Sequence, residues 1–392
     1  MPSTETAAAA HLPDQRHLFA LDDDVAYLNC AYMAPGLKAG LAAAEASFAM
    51  KRRPWEVVPD DFFTGADAAR ALFARLVNAQ ADDVAIVPSA SYGIATAAMN
   101  LSLGAGEENI VLDGQFPANV YAWHRLATEA GARLVQVALP APDAHDPALT
   151  PRVLAAITSA TRVVAVPHVH WASGARLDLQ AVTQHARAVG AALVVDATQS
   201  LGALPLDVTA VQPDFLVAAG YKWLLGPYSL GFLYVAPGHQ GGRPLEETWI
   251  GREGARDFAG LTDYTDRYDR GARRFDMGER ANFHLMPMAQ AGLEQLLAWG
   301  VGNIARTLGD RTRAIADRAG ARGWTSLPEA ARGPHFLGLS KPGGVADGLV
   351  DALKARKVSV SVRGDSVRVT PHLYNSDTDV DRFFAALDAV GG

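Results

Sequence analysis

Cysteine is almost absent from the sequence, since Cys30 is the only one in 392 residues. A single cysteine cannot form a disulfide within the chain, so the fold does not depend on an oxidising compartment. Apolar runs long enough to span a bilayer are also lacking. The first residues are polar and alanine-rich, without the basic stretch and apolar segment of a signal peptide. These absences predict a soluble, cytoplasmic protein.

The chain has no excess of positive charge and no long basic run. Lys and Arg number 35 against 42 Asp and Glu, which gives a net charge of −7 with His neutral. Nucleic acids and acidic membrane surfaces attract basic proteins, so we expect neither as a partner. A regulator that senses a cofactor and binds DNA would need an added basic domain, and the N-terminal residues offer none.

About half of the residues are apolar, and the length is sufficient for two domains. Between Leu72 and Val235, short apolar runs alternate with stretches of helical spacing such as Val120 to Ala130 and Leu179 to Val189. This alternation predicts an α/β fold with a mostly parallel sheet between helices, whose ligands bind beyond the carboxyl ends of the strands. The predicted strands are Val84 to Val87, Asn109 to Leu112, Arg133 to Val137, Arg162 to Val166, Ala192 to Val195, Phe215 to Ala218 and Gly231 to Val235.

The composition changes after Pro237, because residues 238–274 are rich in Gly, Arg and Asp and poor in aliphatic residues. Such a segment is typical of long connections. The remaining chain predicts a smaller α+β unit, with helices near Pro287 to Trp299, Ile304 to Ala319, Val345 to Arg356 and after Ser376, and strands near Phe336 to Leu339, Val358 to Val362 and Ser366 to Thr370. We therefore predict a flexible segment at 1–25, a large domain at 26–270 and a small C-terminal domain at 271–392.

Lysine is scarce in the middle of the chain, where Lys222 is the only one between Lys51 and Lys341. It follows a predicted strand in an apolar setting, although lysine is normally exposed. Burial lowers the pKa of an amine and makes it nucleophilic, as Schiff-base chemistry requires. The alternative is a lysine whose charged end reaches solvent from the end of a strand.

Asp196 ends an apolar predicted strand, so its carboxylate lies at the carboxyl end of the sheet. A carboxylate there can keep the nitrogen of a pyridine ring protonated through a charged hydrogen bond worth roughly 1.5–3 kcal/mol. Its alternative role is to cap the next turn. Only one predicted strand separates Asp196 from Lys222 along the chain, so the two side chains can converge on one site.

The region from Val194 to Val235 resembles the signature of the class V aminotransferase family of pyridoxal 5′-phosphate (PLP) enzymes. This family includes cysteine desulfurases, kynureninases and isopenicillin-epimerase-like proteins. The resemblance covers about Tyr27 to Leu387 and implies the fold type I architecture of PLP enzymes, PLP as cofactor, an amino-acid substrate and a homodimer with a shared active site. The matching elements are Asp196, Gln199, Pro213-Asp214-Phe215, Gly220-Tyr221-Lys222 and Gly226-Pro227.

The resemblance also implies which residues bind the cofactor. Lys222 would hold it covalently and move the α-proton of the substrate, Asp196 would pair with the ring nitrogen, and Gln199 would approach the phenolic oxygen. Phe116 would stack on the ring. The other residues at matching positions, beside the phosphate or the phenolic oxygen, are Ala90, Ser91, His170 and Tyr221.

A phosphate site between Val87 and Gly93 also has a physical basis, because backbone N–H groups at a helix start attract an anion. Ser89 or Ser91 could equally be the N-cap of that helix, and the two roles are compatible. His168 and His170 are two residues apart, so they would share a face on a strand, but no third ligand of suitable type lies nearby in sequence, and we predict no metal site.

Substrate-binding residues follow from the same resemblance. Arg368 matches the arginine that grips the substrate carboxylate, a task suited to its planar guanidinium, although it could also be a surface residue. Asn29 and Tyr32 match the substrate-entry loop, and Trp171 lies beside the cofactor. Asn282 belongs to a loop that dimers of the family donate to the neighbouring subunit.

Three types of reaction remain open. Desulfurases that form a persulfide need a cysteine on the loop before the substrate arginine, and residues 358–368 contain none. The chain could instead cleave a side-chain bond as a lyase or hydrolase, transfer an amino group, or epimerise its substrate. Phe116-Pro117, Trp171 and Tyr221 resemble kynureninases and favour a lyase or hydrolase, although His170 departs from their asparagine. An inactive homologue would have no reason to retain the cofactor-binding set.

Overall fold

The computed structural model describes residues 10–140 and 148–390. Short 3-10 turns connect many of the longer elements. The strands are β1 Ala26–Tyr27, β2 Val84–Val87, β3 Glu108–Leu112, β4 Arg133–Val137, β5 Thr161–Pro167, β6 Ala192–Asp196, β7 Phe215–Ala219, β8 Gly231–Val235, β9 Leu337–Ser340, β10 Val358–Ser359, β11 Ser361–Arg363 and β12 Ser366–Val369. The helices are α1 Lys38–Ser47, α2 Ala49–Arg52, α3 Asp61–Val77, α4 Ala90–Asn100, α5 Tyr121–Ala130, α6 Thr150–Ala156, α7 Leu179–Ala188, α8 Val208–Val211, α9 Met286–Trp299, α10 Val301–Gly320, α11 Leu349–Ala355 and α12 Asp377–Ala389.

The central sheet has seven strands in the order β2-β8-β7-β6-β5-β3-β4. All neighbours pair in parallel except β8, which runs antiparallel to both β2 and β7. This confirms the predicted α/β fold with a mostly parallel sheet. All seven predicted strands lie within a residue of their predicted bounds at each end.

Both faces of this sheet are buried, which explains why its strands are apolar without alternation. Leu193 and Val195 of β6 contribute to one hydrophobic cluster, whereas Val194 between them contributes to another on the opposite face. Helix α4 packs on the second face, and Ile94 belongs to that cluster. Burying such side chains contributes about 1.5–3 kcal/mol each to the stability of the folded state.

The strand register brings three chain segments together at one edge of the sheet. Pro167 at the end of β5 lies beside Asp196 at the end of β6, and Asp196 lies beside Val217 of β7. Because these strands are parallel, the segments that follow them emerge at the same edge. One of these segments carries Lys222, three residues after the last residue of β7.

A smaller unit contains the three-stranded sheet β11-β12-β9 and the helices α11 and α12. Its core includes Ala26 and Leu28, because β1 pairs in parallel with β10. The predicted strand Val358 to Val362 is divided into β10 and β11 at Val360. Helix α11 begins at Leu349, four residues later than predicted, after Gly348 in a left-handed conformation with φ of 76°.

The chain does not change from one core to the other at residue 271, where the sequence predicted the domain boundary. Helix α9 and the first half of α10, including Leu293 and Leu308, belong to the larger core, whereas Ile315 belongs to the smaller one. Their continuous helical pattern in the sequence carries no information about which core they face.

Residues 1–9 of the predicted flexible segment 1–25 lie outside the described residues. The rest of that segment packs against the fold. Phe19 is buried, and its ring lies 4.9 Å from that of Tyr374, centroid to centroid. The backbone N–H of Leu12 donates to the Thr307 hydroxyl on α10.

Candidate active site

A cavity of about 270 Å³ opens at the carboxyl ends of the central strands. Eight of the predicted site residues line it, drawn from five separate segments of the chain. They are Ala90, Ser91, Phe116, Trp171, Asp196, Gln199, Tyr221 and Lys222. The sheet edge therefore assembles residues that are up to 132 positions apart in the sequence, Ala90 and Lys222 being the outermost.

Lys222 is buried, with only 7% of its surface exposed. Its Nζ lies 5.5 Å from the ring centroid of Phe116 and 5.4 Å from that of Tyr221. Burial lowers the pKa of Lys222 to about 8, and the charges of Arg368 and Arg363 act in the same direction. The Asp196 carboxylate opposes them. The amine is therefore neutral in a larger fraction of molecules than an exposed lysine would be.

Asp196 is a buried carboxylate that faces the cavity. One oxygen, Oδ1, accepts a hydrogen bond of 3.0 Å from the backbone N–H of Thr198. The side chain of Thr198 is a second hydrogen-bond partner of this carboxylate. Burial raises the pKa of Asp196, while the bonds to Thr198 and the charge of Lys222 lower it. Such a carboxylate can accept a hydrogen bond from a positively charged ligand.

Gln199 is held in one orientation by two hydrogen bonds. Its Oε1 accepts from the indole N–H of Trp223 at 3.0 Å, and its Nε2 donates to the carbonyl of Ala31 at 3.0 Å. Because the amide group has two N–H bonds, one remains for a ligand in the cavity. Trp223 follows Lys222 directly, so the same turn carries the amine and orients the amide.

Helix α4 begins at the cavity. Ser89 is its N-cap, since its hydroxyl accepts from the backbone N–H of Tyr92 at 3.1 Å. The amides of Ala90 and Ser91 in the first turn have no acceptor among the described residues, and the Ser91 hydroxyl is exposed. Free amides and the positive end of the helix dipole form a site suited to an anion.

One wall of the cavity consists of two aromatic rings. Phe116 and Trp171 meet edge to face with their centroids 5.4 Å apart. The indole N–H of Trp171 donates to the carbonyl of Gly114 at 2.8 Å, and Nε2 of His170 lies 3.1 Å from the same oxygen. Gly114 has a φ of +62°, a conformation that glycine adopts readily. These bonds fix the loop that carries Phe116.

His170 itself lies behind this wall and not in the lining of the cavity. Its Nδ1 is 3.0 Å from the Ser173 hydroxyl, and burial lowers its pKa to about 4. The neutral ring therefore bridges two loops. Its predicted contact with the cofactor or substrate stays a prediction.

Arg368 is buried without a carboxylate partner among the described residues. Its Nε donates to the Ser361 hydroxyl at 3.1 Å, which in turn donates to Oδ1 of Asn29 at 3.1 Å. Its Nη1 donates to the carbonyl of Trp171 at 2.9 Å. Burial lowers the pKa of Arg368 to about 10. A buried guanidinium that has only neutral partners is suited to an incoming carboxylate.

Two of the predicted substrate residues lie apart from the cavity lining. Tyr32 is 56% exposed. Asn282, with a φ of 31°, lines a second cavity of about 450 Å³ together with Phe62 and Trp249. Asn29 acts on the site only through Ser361. The single chain brings none of these three side chains into the first cavity.

The cavity is also lined by Thr198, Tyr228 and Ser229, which were not among the residues predicted from the sequence. Thr198 accepts a 3.2 Å hydrogen bond from the backbone N–H of Ala219 and so joins β6 to β7. Its location between Asp196 and Gln199 was a usable signal. Ser229 has a φ of +64°, which is unusual for serine and which no sequence pattern indicated.

Comparison with known proteins identifies the family. The sequence model described as "Aminotransferase class-V" matches residues 49–257. The chain is 31% identical over 324 residues to an uncharacterized aminotransferase, YcbU, of Bacillus subtilis, and the match covers 80% of each protein. The chain belongs to the class V aminotransferase family. It is accordingly a PLP-dependent enzyme, as the sequence predicted.

Other relatives in this family have different named activities. The chain is 27% identical to isopenicillin N epimerase of Streptomyces clavuligerus, across 98% of this chain and 100% of that protein. It is 26% identical to a probable cysteine desulfurase of Methanothermobacter thermautotrophicus, across 83% of each. Relatives of this chain therefore differ in the reaction that is named for them.

Solved structures confirm the fold type I architecture. The cystine C–S lyase C-DES, in complex with cysteine persulfide, aligns with a TM-score of 0.82 at 18% identity and covers 93% of this chain and 97% of that one. The cysteine desulfurase CsdA from Escherichia coli aligns with a TM-score of 0.78 at 20% identity, covering 95% and 96%. At such identities the likeness concerns the fold alone.

The residues of the cavity fit PLP. A buried amine, a buried carboxylate and the amides at a helix start are the groups that its aldehyde, pyridine nitrogen and phosphate require. Residues 10–140 and 148–390 contain no cluster of three or more ligating side chains that could bind a metal ion. In the same ranges, no helix combines the length and apolar character needed to cross a bilayer.

Proposed function

We propose that this enzyme cleaves a side-chain bond of an L-amino acid or amino-acid derivative, as a C–S lyase or a kynureninase-like hydrolase. The main support for the proposal is that two basic side chains lie close together at one cavity. Lys222 is buried and partly neutral, and Arg368 is buried without a carboxylate partner among the described residues. The amine can act on the α-proton of a substrate whose carboxylate the guanidinium holds.

The cofactor would be held by residues at two strand ends and one helix. Lys222 would bind the aldehyde carbon, Asp196 the pyridine nitrogen and Gln199 the phenolic oxygen. The amides of Ala90 and Ser91 would bind the phosphate, with Tyr221 beside them. When bound, PLP withdraws electrons from the bonds at the α-carbon of an attached amino acid.

The side chains around the cavity would then bind the substrate and move its α-proton. Lys222 removes it from the α-carbon and is the one amine in the lining of the cavity. Arg368 fixes the carboxylate through two parallel hydrogen bonds. Phe116 and Trp171 exclude water from one side of the cavity, which strengthens both charged contacts.

The apolar wall favours cleavage over a two-base epimerisation. Phe116 and Trp171 contribute the rings of this wall, and neither side chain can transfer a proton. The residues Phe116, Trp171 and Tyr221 also match the kynureninase-like pattern of the sequence. Epimerisation and transamination are the alternative reactions, because one relative is named as an epimerase and another as an aminotransferase.

Formation of a persulfide on the enzyme is disfavoured by the location of the single cysteine. Cys30 is completely buried, and burial raises the pKa of its thiol to about 12. A buried thiol that stays protonated is a poor nucleophile. Residues 358–368, which precede and include Arg368, contain no cysteine.

The test is to follow the absorbance of the PLP-loaded enzyme during incubation with a panel of L-amino acids that includes cysteine conjugates. A spectrum that recovers without a keto acid, while a product of side-chain cleavage accumulates, supports the proposal. Release of ammonia and a keto acid with that product indicates a lyase, and release of an amino acid without ammonia indicates a hydrolase. Recovery only after addition of a keto acid would assign an aminotransferase instead. Accumulation of the D-isomer without cleavage would assign an epimerase. The Lys222→Ala variant is the control that should be inactive in all three assays.

We further propose that the enzyme is a cytoplasmic homodimer whose active sites include residues of both subunits. The support is that Asn282 lines a second cavity together with partly exposed aromatic side chains. Its loop matches the one that family dimers donate to the neighbouring subunit. Asn282 and Tyr32 would then complete the partner's site.

A further inference from the structure

A second arginine, Arg363, lies on the same face of the small sheet as Arg368. Strands β11 and β12 are antiparallel, with Ser361 opposite Arg368 and Arg363 opposite Ser366. Residues two apart on a strand, and residues directly opposite each other, point to the same side of a sheet. Arg368 reaches the cavity wall from this side through its bond to the Trp171 carbonyl. Arg363 therefore faces the same wall.

Arg363 contacts the wall through the ring of Trp171. Its guanidinium carbon lies 5.8 Å from the centroid of that indole, within the range of a cation–π interaction. Its Nη1 donates to the neighbouring carbonyl of Val362 at 2.7 Å. No carboxylate lies within ion-pair distance of Arg363 in the part of the chain that the structure describes. The side chain is half-buried, so its charge is only partly solvated.

The charges around the cavity do not balance. Arg363 and Arg368 each lower the pKa of Lys222, and Arg363 also lowers that of Arg368, so the three cations lie close enough to repel one another. Asp196 is the only carboxylate in the lining of the cavity, and the pyridine nitrogen is its proposed partner. Partly buried cations without partners destabilise a protein unless a ligand neutralises them.

One carboxylate is not enough for both arginines. The α-carboxylate of an amino acid has two oxygens, which a single guanidinium fork occupies. Arg368 is the buried one and already donates to the Trp171 carbonyl, so it takes the α-carboxylate under the proposed function. Arg363, five residues before Arg368 in the chain, contacts the ring of Trp171 and then remains free for a second anion.

We propose that Arg363 binds an anionic group on the side chain of the substrate. The preferred substrates are then amino acids that carry a carboxylate, or another anion, at the end of the side chain. Trp171 couples the two contacts, because its carbonyl holds Arg368 and its ring supports Arg363. This inference rests on the proposed function, since it assumes that an amino acid occupies the cavity.

The experiment compares matched pairs of amino acids that differ only in charge, with the PLP-loaded enzyme. The pairs are glutamate with glutamine, and S-carboxymethylcysteine with its carboxamide. The readouts are the absorbance change of bound PLP and kcat/KM for product release. We expect the anionic member of a pair to be preferred at least about tenfold, the effect of one charge-assisted hydrogen bond.

The variant Arg363→Gln should abolish this preference. KM for the anionic member should rise about 10- to 100-fold with little change in kcat, while the neutral member is unaffected. Arg363→Lys should retain part of the preference because it keeps the charge. Arg356→Gln, a change at an exposed arginine just after α11, is the matched control and should behave like the wild type.

Two results would overturn the inference. One is an Arg363→Gln enzyme that retains the charge preference or loses activity equally on both members of a pair. The other is dissociation of the Arg363→Gln protein in sedimentation with an unaltered preference, which would assign Arg363 to a subunit contact. If no amino acid changes the spectrum of bound PLP, the proposed function itself fails, and that outcome is distinct from both.

Discussion

The ionisation of Lys222 controls how fast the apo-protein takes up PLP. Only the neutral amine attacks an aldehyde, and burial lowers the pKa of Lys222 from 10.5 to about 8. The rate of covalent uptake should therefore rise about tenfold per pH unit well below pH 8 and level off above it. Stopped-flow absorbance with the apo-protein measures this rate.

A free lysine derivative is the control for this experiment, because it corrects for the titration of PLP itself. Its rate should continue to rise until about pH 10, the ordinary range for lysine. If the uptake rate of the protein had the same pH dependence as that of the free derivative, Lys222 would be exposed to solvent, which would contradict its buried location in the structure.

At the same scale, Asp196 should matter more for turnover than for binding of PLP. In Asp196→Asn the amide cannot stabilise a protonated pyridine nitrogen, so one charged hydrogen bond is lost. We expect kcat to fall about 10- to 100-fold, while PLP remains covalently bound. Asp113→Asn is the control, since Asp113 also follows the end of a strand but is exposed and outside the cavity. Equal effects of the two changes would contradict the role of Asp196.

Helix α4 can be tested through a glycine that sets its distance from the sheet. A Cβ at Gly93 would lie 2.6 Å from Cγ2 of Val217 on β7. Gly93→Ala should therefore push the first turn of α4 away, lowering the free energy of unfolding by about 1–3 kcal/mol and weakening PLP binding. Urea unfolding and PLP titration measure the two effects.

Gly302→Ala is the matched control for Gly93→Ala, because Gly302 also lies in a helix and a Cβ there would meet nothing within 4 Å. This change should leave PLP binding alone and leave stability unchanged or raised by up to about 1 kcal/mol. If both alanine variants behave alike, close packing of α4 does not position the amides of Ala90 and Ser91.

The strands of the large sheet could be predicted because their signal is local. Val84 to Val87 and Ala192 to Val195 are short apolar runs, one following Asp83 and the other ending before Asp196, and both are fully or almost fully buried. The start of α11 could not be predicted, because Val345 fits a helical pattern while Gly348 adopts a left-handed conformation. The apolar spacing in the sequence extends from the turn before α11 into the helix, so it does not mark the residue at which the helix begins.

The site was predictable to the extent that its residues follow strand ends. Asp196 and Lys222 stand next to apolar runs, so their location at one sheet edge follows from parallel pairing. The orientation of Gln199 by Trp223 could not be predicted, because it depends on a contact between side chains 24 residues apart. The lack of a carboxylate partner for Arg363 likewise could not be predicted, because it depends on which acidic side chains lie near it in the folded chain.

Over the whole molecule, an aromatic patch supports the proposed dimer. The ring centroid of Phe62 lies 6.3 Å from that of Trp249, 5.4 Å from that of Phe258 and 5.2 Å from that of Phe283. Trp249 is 42% exposed and Phe258 36% exposed. Exposed apolar patches of this kind mark sites of association.

The double change Trp249→Glu with Phe258→Glu should shift the protein from dimer to monomer in sedimentation, because it introduces two charges into the patch. Activity should fall with the dimer, since the proposed sites include residues of both subunits. Arg356→Glu, at an exposed residue of the smaller unit, should change neither property. A wild-type protein that sediments as a fully active monomer would contradict the shared site.

Lys222 is the lysine that we expect to bind PLP covalently. Reduction of the PLP-loaded protein with borohydride fixes the cofactor to its lysine, and digestion with mass spectrometry then identifies that residue. We expect one labelled peptide, the one that contains Lys222, and no label at this position in Lys222→Arg. A label on any other lysine, or no label in a protein saturated with PLP, would contradict this expectation.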